Sequence, residues 1–315
     1  MRVAALREHQ LVLEDRADPT PGPHDVVVEV RAAGINAADL LQRQGSYPAP
    51  PGWPEDVPGM ELSGVVVKVG AGVEGSLLGR RVCAIVGGGA QATHCVVPSE
   101  HLLFVPEQAS WLEAGGFAEA FVTAHDALVT QGGLHAGQRV AISGAAGGVG
   151  SAAVQIAHAL GATVVAVTRD TTPHEQLRAL GADETVTVDE LDAVEPVDVV
   201  LELVGAPHFS RVFSRLAPFA RVVVIGVGAG SLLEVDLRTI MVKRLTLTGS
   251  TLRARSREEK TQVIERVAQT LLPLWRSGDL HVELSRVFDL EQIAEAYDYF
   301  AESGKFGKVI VHVSD

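Results

Sequence analysis

The segment Val140-Ala141-Ile142-Ser143-Gly144-Ala145-Ala146-Gly147-Gly148-Val149-Gly150 decides the fold. A β-branched run enters a glycine-rich turn, and helical spacing follows from Val149 to Leu160. The N-terminus of such a helix offers free backbone N–H groups and the positive end of the helix dipole, which together favour a phosphate. Gly147 lets the backbone approach a dinucleotide pyrophosphate, and Gly150 lets the helix pack against the strand. Ala145 stands at the first fingerprint position, where the strict pattern has glycine. A glycine pattern by itself also fits a merely tight turn. A strand before it, a helix after it and a βαβ unit around it supply the context that a dinucleotide site requires.

Outward from this turn, strand and helix patterns alternate. Strands are expected at Thr163 to Thr168, Val197 to Leu203, Arg221 to Gly226 and Leu245 to Gly249, and helices at His174 to Leu180 and Phe209 to Leu216. Alternation of this kind implies a parallel sheet. Gly226 then lies beyond the carboxyl end of a parallel strand, where ligands of open α/β sheets bind. An NAD site places an acidic side chain at the end of the second strand, about 20 residues past the glycines. Counting from Gly150 reaches Asp170, whereas the strand itself ends at Thr168, which is not acidic. Arg169 is next, suited to a 2′-phosphate, and Pro173 opens the following helix. NADPH is the favoured cofactor, with Asp170 as the counter-argument.

The flanking sequence has a different period. Val26, Val28 and Val30 alternate with Val27, Glu29 and Arg31, and strand patterns recur at Leu62 to Val69, Arg81 to Val86, Ala92 to Val97 and Leu102 to Val105. Gly and Pro clusters divide them, which predicts a compact, partly open β-barrel or sandwich. A short helix from about Asn36 to Gln44 interrupts the strands. The prolines at 48, 50, 51 and 54 make the segment after it, from Tyr47, an irregular loop. Trp111 to Thr130 has helical spacing. Beyond Arg253 come helical patterns at Arg257 to Arg276 and Leu290 to Ser303, then a strand at Lys308 to Val313. That strand has no βαβ partner in view and is expected to rejoin the first region. The fold class is α/β: a parallel Rossmann sheet domain, residues 121–253, inserted in a β-rich domain made of residues 1–120 and 254–315.

Composition narrows the function. With 47% hydrophobic and 21% charged residues the 315-residue chain can bury a core. Lys plus Arg is 26 against 39 Asp plus Glu, a balance of −13 that excludes a basic nucleic-acid or membrane surface. No apolar run nears the ~20 residues of a membrane span, and charge comes too early at the N-terminus for a signal peptide; a cytoplasmic location is expected. Cys83 and Cys95 cannot form a disulfide framework or a four-thiolate zinc site and read as core thiols. His94 points to the opposite face from Cys95 in a regular strand.

Ala33-Gly34-Ile35-Asn36-Ala37-Ala38-Asp39, Pro58-Gly59-Met60-Glu61-Leu62-Ser63-Gly64 and the turn Gly144 to Gly150 resemble the medium-chain dehydrogenase/reductase superfamily. The zinc-free NADPH:quinone oxidoreductases, the zeta-crystallin-like branch, are the most similar. Asn36 to Tyr47, Gly87 to Gln91 and Leu252 to Ser256 add to the likeness, which runs over essentially the whole chain. It implies a GroES-like β domain beside the Rossmann domain, usually in a homodimer, with NADPH as cofactor and a quinone or enone as small-molecule substrate. Zinc-dependent relatives place a cysteine where Asn36 stands and a histidine where Met60 stands, so no metal site is expected, and Glu61 reads as structural.

A quinone or conjugated carbonyl spreads the charge of the incoming hydride, so hydrogen-bond donors suffice to stabilise it. The resemblance places Asn36 near the nicotinamide and Tyr47 on the substrate loop, as catalytic residues. A helix cap for Asn36 and a packing role for Tyr47 are the alternatives, and Asp39 is assigned to helix-start geometry or loop hydrogen bonding. The implied cofactor contacts are Thr123, Ala146, Gly147, Gly148, Val149, Thr168, Arg169, Val204, Gly226, Leu252, Arg253 and Lys308. A solvated turn is the plainer reading of Arg253, and a surface lysine that of Lys308. An enoyl or alkenal reductase would use the same residues, and a protein that binds NADPH without turnover is the reading from a different class.

Overall fold

The structure is a computed structural model and describes residues 1–314. The chain divides into two compact units, Met1–Val122 together with the chain from Leu252 on, and Thr123–Thr251.

The first unit begins with an antiparallel hairpin, β1 (Arg2–Arg7) and β2 (Gln10–Asp15), turned at Glu8 and His9 in left-handed backbone. Its turn carries no glycine, proline or asparagine, which hid it from a reading based on turn residues. β3 (Asp25–Ile35) follows, then α1 (Ala37–Arg43), β4 (Glu61–Val69), β5 (Arg81–Ile85), β6 (His94–Pro98) and β7 (Leu102–Phe104). Val26, Val28 and Val30 of β3 pack with Leu62, Val66 and Val82 in one apolar cluster. Val27 is buried as well, so β3 is covered on both faces rather than half-solvated. The long helix expected from Trp111 is divided by Gly115 and Gly116 into α2 (Trp111–Gly115) and α3 (Ala118–His125), continued by a wider turn over Asp126–Gln131. A side chain at Gly115 would strike Ala32, so this break is what lets α2 lie against β3.

The second unit is a six-stranded sheet. In chain order its elements are β8 (Arg139–Ser143), α4 (Gly148–Ala159), β9 (Thr163–Thr168), α5 (His174–Ala179), β10 (Glu184–Thr187), β11 (Val197–Glu202), α6 (Ala206–Val212), β12 (Leu216–Val224), α7 (Leu237–Lys243) and β13 (Thr246–Gly249). Strand order is β10-β9-β8-β11-β12-β13, and every pairing is parallel. The order reverses at β8, which puts the glycine turn at the switch point of the sheet. α6 begins three residues before the expected Phe209 because Gly205 and Pro207 start it.

The chain then returns to the first unit with α8 (Arg257–Ser277), β14 (Leu284–Asp289), α9 (Ile293–Ala301) and β15 (Lys308–His312). Pro273 lies inside α8 without ending it. β15 rejoins the first sheet, antiparallel to β3, as expected. It also pairs in parallel with β14, so β14, α9 and β15 form a small βαβ unit where none was expected. The sheet order is β14-β15-β3-β4-β5-β7, with β6 also on β3.

Candidate functional site

In the second unit the glycine turn has the geometry that a pyrophosphate needs. Gly144 takes φ +59°, a left-handed conformation that suits glycine. The glycine this turn demands is therefore Gly144, and Ala145 is buried behind it with its N–H on the Val167 carbonyl at 3.2 Å. A Cβ on Gly150 would lie 2.7 Å from the Cα of Ala145, so only glycine lets α4 start so close to the turn. Gly147 is the residue capping α4, and a Cβ there would meet only the Gly144 carbonyl, at 3.4 Å. Ala146, Gly147, Gly148 and Val149 thus surround an open cradle at the start of a twelve-residue helix. These residues fit a dinucleotide pyrophosphate.

The end of β9 differs from its reading. The Thr168 side chain is buried and turned inward: its hydroxyl donates to the Asp170 carbonyl at 2.7 Å and lies 2.9 Å from Nε2 of His174. Thr168 therefore holds the turn after β9, and its hydroxyl hydrogen is given to the Asp170 carbonyl. Asp170 accepts from the Thr172 N–H at 2.9 Å, and that contact with the Thr172 hydroxyl holds its carboxyl below the ordinary range. Arg169 is exposed.

Beyond β11 sits a buried network that the sequence reading missed. Glu202 accepts from the N–H groups of Val204 and Gly205, both at 2.8 Å, and from the Ser143 hydroxyl at 2.9 Å. Its other oxygen meets Nδ1 of His208. Burial opposes the charge, but these partners hold the carboxyl below its ordinary value. The network fixes Val204 and Gly205 at the carboxyl end of the sheet. Gly226 belongs to the same rim: its N–H meets the Glu202 carbonyl at 3.1 Å, and a side chain there would run into the backbone of Leu203. The available signal was an acid ending the apolar run Val199 to Leu201, with glycine three residues on. Thr123 opens this unit and is buried.

In the first unit the site gathers around Asn36. The N–H of Asn36 donates to the Asp39 carboxylate at 2.8 Å, and the other oxygen of Asp39 accepts from the Gly59 N–H at 3.0 Å. Complete burial raises the Asp39 carboxyl to about 6, against those two hydrogen bonds. Asn36 and Asp39 thus form the cap that starts α1, with Asp39 tying it to the Gly59 loop, and the Asn36 carboxamide has further partners. That carboxamide is gripped at both ends. Nδ2 donates to Glu61 Oε1 at 3.0 Å, and Oδ1 accepts from Lys308 Nζ at 2.7 Å.

Lys308 is neither a surface lysine nor available to a phosphate. It is 3% exposed, and its ammonium bonds the Ile35 carbonyl at 3.2 Å, Asn36 at 2.7 Å and Glu61 at 2.5 Å. Three donors meet three acceptors. Glu61 has no exposed surface and also accepts from the Glu119 N–H at 2.9 Å. The network orients the Asn36 amide and leaves its second Nδ2 hydrogen as a directed donor.

Tyr47 follows α1 on the proline loop. Its carbonyl accepts from Nη1 of Arg253 at 3.1 Å, and the guanidinium lies 5.1 Å from the centre of its ring. Burial raises the phenol above its ordinary value, so it stays protonated at neutral pH. Arg253 is buried rather than a solvated turn. Its guanidinium also bonds the Gly87 carbonyl at 2.8 and 2.9 Å and Oε1 of Gln42 at 2.5 Å. The side chain is thereby committed to bracing the Tyr47 loop. Neighbouring Leu252 is buried.

The same positions do not fit zinc. The Asn36 carboxamide is engaged at both ends and Met60 is buried apolar surface. Burial raises the Cys83 thiol and pushes Cys95 up to about 12. Among the described residues no group of three or more His, Cys, Asp or Glu is placed to hold a metal. No helix among them is long and apolar enough to cross a membrane.

Comparison with known proteins agrees with this architecture. Residues 22–132 match the family model described as alcohol dehydrogenase GroES-like domain, and residues 148–269 match the one described as zinc-binding dehydrogenase. The synaptic vesicle membrane protein VAT-1 homolog of Rattus norvegicus is 31% identical over 93% of this chain and 78% of its own length. The quinone oxidoreductase of Homo sapiens is 28% identical over 94% of this chain and 92% of its own. A crystal structure described as an NAD-dependent alcohol dehydrogenase superposes with a TM-score of 0.86 at 29% identity, covering all of both chains. The chain belongs to the medium-chain dehydrogenase/reductase family, among its quinone oxidoreductase-like members, and is a nicotinamide-dependent oxidoreductase.

Proposed function

We propose that this protein reduces quinones or other conjugated carbonyls with NADPH, without a metal ion. The observation that carries this reading is the Asn36 carboxamide, held between Lys308 and Glu61 with one N–H left to give. The Ala146–Val149 turn would hold the pyrophosphate of the dinucleotide, whose reduced nicotinamide would supply a hydride. The chain's own part is to meet the charge that develops on the acceptor oxygen. Asn36 offers a fixed donor, and preorganised donors of this kind lower the barrier without reorganising. Tyr47 offers a flat face for a planar acceptor and a protonated hydroxyl. A delocalised quinone or enone needs no stronger electrophile, which is why a carboxamide serves where zinc-dependent relatives keep a metal ligand.

NADPH is favoured over NADH because Asp170 is tied to Thr172 while Arg169 is exposed beside it. The superposed structure described as NAD-dependent is the argument on the other side. Steady-state reduction of a quinone and enone panel with each cofactor tests the reading. NADPH should give at least tenfold the kcat/KM of NADH, with activity unchanged by chelator. Equal use of both cofactors, or loss of activity to chelator, refutes it.

A homodimer is part of the proposal. Leu232, Leu237, Met241 and Val242 are exposed, Leu232 at 92%, next to the open edge of β13. A second copy would cover that apolar surface and pair the edge. Light scattering should give twice the chain mass, and Met241→Glu should halve it.

A further inference from the structure

The first unit contains a groove of about 650 Å³ that the reading above leaves unused. Trp53, Pro54 and Cys95 line it, His101 and Lys260 contribute to its wall, and neither Asn36 nor Tyr47 reaches it. Its volume suits a small organic ligand.

Two buried polar side chains stand in its wall. His101 is 2% exposed, and its Nε2 lies 3.1 Å from the Arg257 carbonyl, a contact that requires the hydrogen on Nε2. Burial lowers its pKa, so the ring is neutral and Nδ1 is an acceptor. Nδ1 is buried and has no partner. Lys260 is 6% exposed, and its ammonium donates to the Arg253 carbonyl at 2.8 Å. Arg253 in turn bonds only the Gly87, Tyr47 and Gln42 oxygens. Among the described residues neither cation pairs with a carboxylate. Glu119 acts on both cations and Asp39 on Arg253 through space, while the direct partner of the Lys260 ammonium is a neutral carbonyl.

We propose that this groove is a second ligand site, for a flat aromatic anion that carries a hydroxyl. The aromatic body lies on Trp53 and Pro54, the anionic group faces Lys260, and the hydroxyl donates to Nδ1 of His101. Each part answers an observation: apolar lining, a buried cation whose direct bond is to a neutral carbonyl, and an orphaned acceptor.

Calorimetry of the full chain with 6-hydroxy-2-naphthoate tests this independently of the oxidoreductase reading. One probe should bind per chain. Removing the hydroxyl (2-naphthoate) or the charge (2-naphthol) should each weaken binding about 5- to 30-fold, as expected where a buried group is left unpaired. His101→Phe should bring the hydroxylated and unhydroxylated acids within twofold of each other. In quinone reduction the probe should not compete with the quinone. The proposal falls if no saturable binding is seen up to millimolar probe, if the three probes bind alike, or if His101→Phe keeps the preference. Competition with the quinone also overturns it, because the groove would then belong to the substrate site. Should His101→Phe fail to fold, the probe series on the unaltered chain decides.

Discussion

Replacing Lys308 by methionine keeps most of the side-chain volume and removes the ammonium. Glu61, with no exposed surface, then keeps only the Asn36 amide at 3.0 Å and the Glu119 N–H at 2.9 Å as donors. Removing one member of a buried pair strands the other charge, at a cost of ~3–5 kcal/mol. At ~2–4 °C per kcal/mol for a domain of this size, the melting temperature should fall by about 6–20 °C. Denaturant and thermal unfolding of Lys308→Met measure this directly. Lys308→Met with Glu61→Gln should regain part of the loss, because glutamine carries no charge to strand, while its single carbonyl oxygen keeps one of the two donors, which sit on opposite carboxylate oxygens. The Asn36 amide also loses the partner of its oxygen, so kcat should fall in the single variant. A loss below ~1 kcal/mol, or a double variant no more stable than the single one, would refute the claim that a buried ion pair orients Asn36.

Three further outcomes follow from the same structure. Tyr47→Phe should stay near the parent kcat while Tyr47→Ala raises KM, if the residue stacks; a fall in kcat of about 10- to 100-fold in Tyr47→Phe would instead assign the hydroxyl to the transition state. Arg169→Ala should raise KM for NADPH about 5- to 10-fold and leave NADH unchanged, the low end for an arginine–phosphate pair because the site is exposed; equal effects on both cofactors would remove Arg169 from the 2′-phosphate. The Asp39 carboxyl, about 6 when folded and near 3.8 when unfolded, contributes stability that is full below pH 3.8 and lost as pH rises through 6. Unfolding of Asp39→Asn between pH 4 and 6 should therefore lack a decline that the parent shows, and parallel curves would disprove it.

The dinucleotide turn was legible because its signal is local. Strand, glycines and helix are contiguous from Val140 to Gly150, and the φ of Gly144 and the crowding at Gly150 come from neighbours in that stretch. For Asn36 the local sequence offered a helix start, whereas what holds its carboxamide comes from elsewhere in the chain. Lys308, set among Gly304, Lys305 and Gly307, has the local look of a surface residue. Its partner Glu61 is 247 residues away, and pairing over that distance leaves no trace in periodicity or spacing. The β14–α9–β15 unit was hidden for a related reason. Leu284–Asp289 is a largely exposed strand without a clean alternation of apolar residues.

The placement of β15 bears on how the chain folds as it is made. Val309 faces Ile35 across the sheet, so β3 waits for a strand made much later before its edge is covered. All of Thr123–Thr251 has left the ribosome by then, and that unit is contiguous in sequence. Domains generally fold as units during synthesis, so the cofactor-binding sheet is expected to form first. The half-built outer sheet meanwhile exposes the β3 edge and leaves the Glu61 carboxylate without its cation. Release of Lys308–His312 supplies the missing strand and the missing charge in one event, so the Asn36 carboxamide gains the partner of its oxygen only when the outer sheet closes.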